Sequence, residues 1–221
     1  MKKDDTVNYL IIPTSNKLNG YRESAVAIDM GTVRFAAMVD TGGNVTIEES
    51  RRVLDICKEV REGRKDLGFL ETFIAVMVKK YVEQWYKDGI EAVYVGCCEG
   101  DFLKLCNGNK NSYFYKYGIF KNFVKHIEIY CKEYGIYVET VECDESYTSL
   151  SNSLNSDFVH SYGDKNVGKM TGTRSDREYY SADSHLVINA DVNACINLLH
   201  KMGHNLYVAP DSNLFDYITL L

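Results

Sequence analysis

No run of about eighteen apolar residues occurs in this 221-residue chain, which leaves no candidate membrane span. Its start, Met-Lys-Lys-Asp-Asp-Thr, lacks the apolar core of a signal peptide, so the expected location is the cytoplasm. Cys-x-x-Cys pairs are also missing. The seven cysteines (Cys57, Cys97, Cys98, Cys106, Cys131, Cys143, Cys195) are an odd number, which argues against a disulfide framework and a zinc ribbon alike. They read as small buried apolar residues in a reducing compartment. A basic surplus is absent too: the formal net charge is -6, which does not suit a free-standing nucleic-acid binder. Internal repeats and low-complexity tracts are not found. What remains is a chain with 45% hydrophobic residues, enough for one sizeable core and one domain.

Residues 1–24 are polar around one apolar patch, Tyr9-Leu-Ile-Ile12, followed by Pro13, and read as an arm or an edge strand. Ala25 to Asp29 is a short apolar run ending in an acid. A tight Met30-Gly31-Thr32 turn leads to a second strand, Val33 to Val39, and the Gly42-Gly43 hairpin signal to a third, Asn44 to Glu48. Residues 49–65 carry mixed charge without an apolar period and read as a connection. Asp66 is placed to cap a helix running to about Tyr86, with Leu70, Phe73, Ile74, Met77 and Tyr81 on one face. Ala92 to Val95 reads as a buried strand, Gly118 to Tyr134 as a helix and Ile136 to Cys143 as a strand. An insertion at about 150–187, rich in Ser, Asn and Gly, is too long for an ordinary connection and implies a functional loop or small subdomain. Asn189 then caps a short amphipathic helix stopped at Gly203. This order predicts an α/β fold, a mixed five-stranded sheet with helices on both faces, and three antiparallel strands with an aspartate ending the first are how a ribonuclease-H-like sheet begins. The fold would span residues 25–203, leaving 204–221 as a tail.

The last helix carries the most informative wording. On spacing alone, Asp191 in its first turn is equally well an acid favoured by the helix dipole. However, Ile188-Asn-Ala-Asp191-Val-Asn193-Ala, followed by Ile196-Asn-Leu-Leu, resembles the last catalytic motif of the TnpB (OrfB) proteins of insertion sequences, whose nuclease domain is RuvC-like. Most of that family carry a glutamate at the end of the fourth strand, where this chain has Gly96. One branch instead has the acid in a Glu-Ser-Tyr-Thr-Ser motif after the next strand, and Glu145-Ser-Tyr-Thr-Ser149 is similar to it. Gly172-Thr-Arg174-Ser-Asp-Arg177-Glu-Tyr-Tyr180 resembles the branch's Gly-x-Arg-x-x-Arg-Gly-Leu-Tyr segment, with Glu178 where the branch has glycine. The resemblance covers about residues 24–202.

The resemblance implies a metal-dependent DNA endonuclease of bacterial, archaeal or viral origin. Asp29, Glu145 and Asp191 would be the catalytic acids and the ligands of two magnesium or manganese ions, without zinc. Glu142 and Glu99 are the alternatives to Glu145. Arg174 and Arg177 either hold a phosphate or are solvated surface charges. Lys104, Lys110, Lys116, Lys121, Lys125 and Lys132 lie on or just before one helix, as a nucleic-acid face or an ordinary solvated one. The lobe with which the family grips its guide RNA has no counterpart in the 24 residues before the first core strand. A homo-oligomer or a second protein would supply it, with DNA as substrate and a guide RNA as possible partner. Leu214, Phe215, Tyr217, Ile218, Leu220 and Leu221 make the tail a docking element, or a segment packed on its own core.

Three rivals compete. Ile28-Asp-Met-Gly-Thr32 resembles the first phosphate loop of actin-like and sugar-kinase ATPases, but no second such loop follows. A stand-alone Holliday-junction-type resolvase shares the expected fold and needs no RNA. A TnpB derivative retained for binding or regulation would fit the acidic balance, although it would have no reason to keep three acids.

Overall fold

The computed structural model describes residues 10–12, 23–96, 102, 106–141, 147–155, 157, 159, 160, 164, 168–181, 185–208, 210 and 212–220. The strands are β1 (Leu10–Ile12), β2 (Ala25–Met30), β3 (Arg34–Asp40), β4 (Val45–Glu49), β5 (Ala92–Gly96), β6 (Tyr137–Val141), β7 (Gly172–Ser175), β8 (Glu178–Ser181), β9 (Leu186–Asn189), β10 (Leu206–Val208) and β11 (Ile218–Leu220). The helices are α1 (Ser50–Arg61), α2 (Leu67–Lys87), the single turn α3 (Tyr113–Lys116), α4 (Ile119–Tyr134) and α5 (Ala190–Lys201).

Five strands form the central sheet in the order β4-β3-β2-β5-β6. The first three pair antiparallel through tight connections, whereas β5 and β6 run parallel to β2 and need helical crossovers. This is the ribonuclease-H-like sheet that the sequence predicts. Its middle strand, β2, is apolar because both faces are covered. Side chains alternate along it, so Val26, Ile28 and Met30 join the core beneath α1, α2 and α4, and Ala25 and Ala27 join the core beneath α5. Asp29 continues the second series. The small alanines on that face let α5 approach the sheet closely.

Local signals explain most boundaries. Asp66 caps α2, its Oδ1 accepting the Phe69 amide at 2.7 Å. Asn189 caps α5 by accepting from the Asp191 and Val192 amides at 3.0 and 3.3 Å. The expectation of a plain connection over 49–65 was wrong, since residues 50–61 form α1. Val53, Ile56 and Cys57 are buried and Val60 packs beside them, which is the i, i+3, i+4, i+7 stripe of an amphipathic helix. Alternation with charged residues had masked that period.

The insertion contributes to a second sheet. Strands β7, β8 and β9 form an antiparallel sheet in the order β11-β9-β8-β7, completed by β11 from the end of the chain. The apolar patch near the start pairs as β1 with β10. Leu214 packs fully buried in the α5 core, while Phe215 and Leu220 remain exposed. Among the described residues no helix is long and apolar enough to cross a membrane.

Candidate functional site

A cleft of about 520 Å³ opens at the edge of the central sheet where β2 ends. Asp29 and Asp191 both line it, one from the middle strand and one from the first turn of α5. Alternation along β2 sends Asp29 to the α5 side, and the β9–α5 junction brings Asp191 to the same cleft. That junction is fixed: the Ala190 amide donates to the Arg177 carbonyl at 2.7 Å, tying the start of α5 to the β7–β8 turn. Asp176 in this turn adopts φ +52, and Arg174 Nε donates to the Asp176 carbonyl at 3.2 Å.

Three arginines surround the two acids. Arg34 Nη1 lies 3.0 Å from Asp191 Oδ2, and Arg174 Nη2 lies 3.6 Å from Asp191 Oδ1. Arg177 lines the same cleft. Arg34 also approaches Glu49 with its Nε at 3.7 Å, and both members of the Arg34–Asp191 pair are mostly buried. Sequence reading found Arg174 and Arg177 but missed Arg34. Its only signal was a cation opening a strand five residues after Asp29, and such residues are common at strand ends.

The opposite wall is Tyr147, Thr148 and Ser149. Tyr147 holds φ +68, a left-handed backbone that a tyrosine adopts only when its surroundings impose it. Glu145, Glu142 and Glu99 lie outside the described residues, although Glu145 precedes the wall by two positions. Lys121 and Lys125 do not line the cleft: α4 packs on the other face of the sheet, and Lys125 reaches Glu71 at 3.5 Å. Lys110, Lys116 and Lys132 are exposed, and Lys104 lies outside the described residues.

Among the described residues the carboxylates of Asp29, Asp176 and Asp191 line the cleft and no cysteine or histidine does, a donor set that suits a hard divalent cation such as magnesium or manganese better than zinc. Among the described residues no group of three metal-ligating side chains comes together. The two guanidiniums on Asp191 neutralise it in the absence of a cation. An ion binding there must share that carboxylate or displace an arginine.

The sheet order defines a ribonuclease-H-like fold with a cleft lined by aspartates and arginines at the sheet edge. No family model and no curated protein matches the chain. Among solved structures, it is similar to a chain of the Cas12f1–sgRNA–target DNA complex, with 16% identity over 80% of this chain and 49% of that one, at a TM-score of 0.48. A CRISPR-Cas12f ternary complex gives 15% identity, 83% and 40% coverage, and a TM-score of 0.49. T. thermophilus RuvC in complex with a Holliday junction substrate gives 12% identity, 85% and 100% coverage, and a TM-score of 0.41. The chain thus spans less than half the length of the two Cas12f chains. Strand order and register alone give the ribonuclease-H-like sheet.

Proposed function

We propose that this chain is a RuvC-like, divalent-metal-dependent DNA endonuclease in which Asp29, Asp191 and Glu145 hold the metal ions. The observation that carries this reading is that Asp29 and Asp191 line one cleft together with Arg34, Arg174 and Arg177. Carboxylates from distant parts of a chain converge in this way when they share cations, because without them their mutual repulsion must be offset by other charges. The motif resemblances at 144–149 and 188–199 support the same assignment. Magnesium or manganese, when bound, supplies an activated water and charge neutralisation for phosphodiester hydrolysis.

The chain's own groups divide the remaining work. Asp29 and Asp191 present oxygen ligands from rigid elements, the central strand and a capped helix, which favours precise placement. Arg174 in β7 and Arg177 in the turn after it are placed to hold a backbone phosphate by paired N–H donors. A guide RNA needs many more phosphate contacts than a chain of net charge -6 offers. A second copy or another protein is therefore proposed to supply them.

The test is cleavage of labelled single-stranded, duplex and four-way-junction DNA in magnesium or manganese, with and without added RNA. We expect cleavage that chelation abolishes. Asp29→Ala, Asp191→Ala and Glu145→Ala should each lose it while keeping the wild-type circular dichroism spectrum. Loss in Glu142→Ala or Glu99→Ala with Glu145→Ala unaffected would reassign the third ligand. Selective cutting of junctions without RNA would favour a resolvase, and absence of cleavage on every substrate and metal would defeat the nuclease reading.

A further inference from the structure

The α5 motif contains two asparagines, Asn193 and Asn197, that the roles proposed above leave unused. Both are completely buried, one turn apart on the same helix. Asparagine is a poor helix former compared with leucine or alanine, and burying an amide costs free energy unless its hydrogen bonds are made. Packing alone would therefore select apolar residues here.

Both amides are instead used on one irregular stretch. Asn197 Nδ2 donates to the carbonyls of Thr148 at 2.7 Å and Ser151 at 2.6 Å. Asn193 Nδ2 donates to the Ser151 carbonyl at 2.9 Å, and its Oδ1 accepts the Ser153 amide at 3.1 Å. From the other side, the Tyr179 hydroxyl donates to the Leu150 carbonyl at 2.6 Å, and Asn152 Nδ2 donates to Ser181 Oγ at 2.8 Å. The stretch belongs to no sheet, and three of its carbonyls find partners in side chains. Those of Thr148 and Ser151 find them on α5, and that of Leu150 finds its partner on β8. The same stretch begins with the cleft wall, Tyr147 to Ser149, and α5 begins with Asp191.

We propose that Asn193 and Asn197 are positioning residues that fasten the 148–153 segment to α5, holding the Tyr147–Ser149 wall at a fixed distance from Asp191. The proposal rests on the nuclease reading for its catalytic consequence and on the hydrogen bonds alone for its geometric one. Donation is what matters at position 197: Oδ1 of Asn197 is buried and accepts no hydrogen bond, while Nδ2 serves two carbonyls.

The experiment compares Asn197→Ala, Asn197→Asp and Asn193→Ala with a control, Asn213→Ala. Asn213 makes a similar two-way clamp on the Val45 backbone, at 2.7 and 2.8 Å, away from the cleft. Hydrogen exchange read by mass spectrometry should accelerate over 147–153 in the three α5 variants, with 25–40 unchanged, and should not accelerate there in Asn213→Ala. Below every variant's melting temperature, kcat for DNA cleavage should fall about tenfold to a hundredfold in the α5 variants with KM unchanged. Asn213→Ala should keep the wild-type kcat even where it loses as much thermal stability. Asn197→Asp keeps the side chain's shape and removes both donors, so it should behave like Asn197→Ala. Unchanged exchange over 147–153, wild-type behaviour of Asn197→Asp, or kcat losses that follow melting temperature in all variants including the control would overturn the proposal. Should the wild type cleave nothing, the nuclease reading fails and the exchange result alone decides.

Discussion

His204 shows how a single buried side chain ties stability to pH. It is 1% exposed, with Nε2 3.1 Å from the Tyr94 hydroxyl, and burial pushes its pKa below the ordinary 6.5. The folded state thus favours the neutral ring. Its stabilising contribution is complete above the unfolded pKa and is lost as the pH falls through the lower folded value. On acidification from pH 7 to 5, stability should decline with a His204 share of at most about 1.4 kcal/mol per pH unit. His204→Gln should remove that share, read as a shallower fall of urea midpoint with pH; identical slopes in wild type and variant would exclude the role. Two acids of the cleft were legible in the sequence, Asp29 as the acid that ends the first apolar run and Asp191 through the wording of the last helix. Arg34 and the two clamping asparagines were not, since each acts on a group far away in the chain: Arg34 reaches Asp191 across 157 positions.

Among the elements, the β7–β8 hairpin depends on one residue that has no side chain to spare room for. A Cβ on Gly172 would lie 2.4 Å from Tyr179 Cε1 and 2.6 Å from the Tyr180 carbonyl. Neither can move cheaply, because Tyr179 is fully buried and the carbonyl is part of the strand. Gly172→Ala should cost about 1–3 kcal/mol of stability and displace Arg174. Thermal melting checks the first effect, and weaker DNA binding with lower cleavage checks the second; a variant as stable as wild type would show that the hairpin yields. This small sheet was visible in the sequence only as an overlong insertion. Its β9 edge is completed by β11, and pairing between segments so far apart leaves no local signature. The three strands β2 to β4 and the helices α2, α4 and α5 were legible because caps, glycines and apolar period agreed. α1 carried the period as well, diluted by charge.

At the scale of the whole molecule, the acid cluster should make the fold respond to cations. Asp191 is now neutralised by arginine, yet a divalent ion bound only by the native state stabilises it by mass action, about 2.7 kcal/mol at a hundredfold excess over Kd. Wild-type protein should melt higher in millimolar magnesium or manganese, and Asp29→Ala or Asp191→Ala should lose most of that rise. A wild-type melting temperature indifferent to both ions would speak against a preformed site. Light scattering addresses the partner: a strict monomer that binds RNA tightly by itself would contradict the proposed need for a second copy or protein.

The cleft joins the second strand of the chain to its last long helix, and the small sheet that anchors that helix is closed by β11, among the final described residues. During synthesis, β2, β3 and the crossover helices leave the ribosome long before α5 exists. All five strands of the central sheet precede α5, so the nascent chain can build that sheet while Asp29 still lacks Asp191 across the cleft. Whatever chemistry the cleft performs, it comes into being late in translation, and a truncated product that loses α5 is born without it.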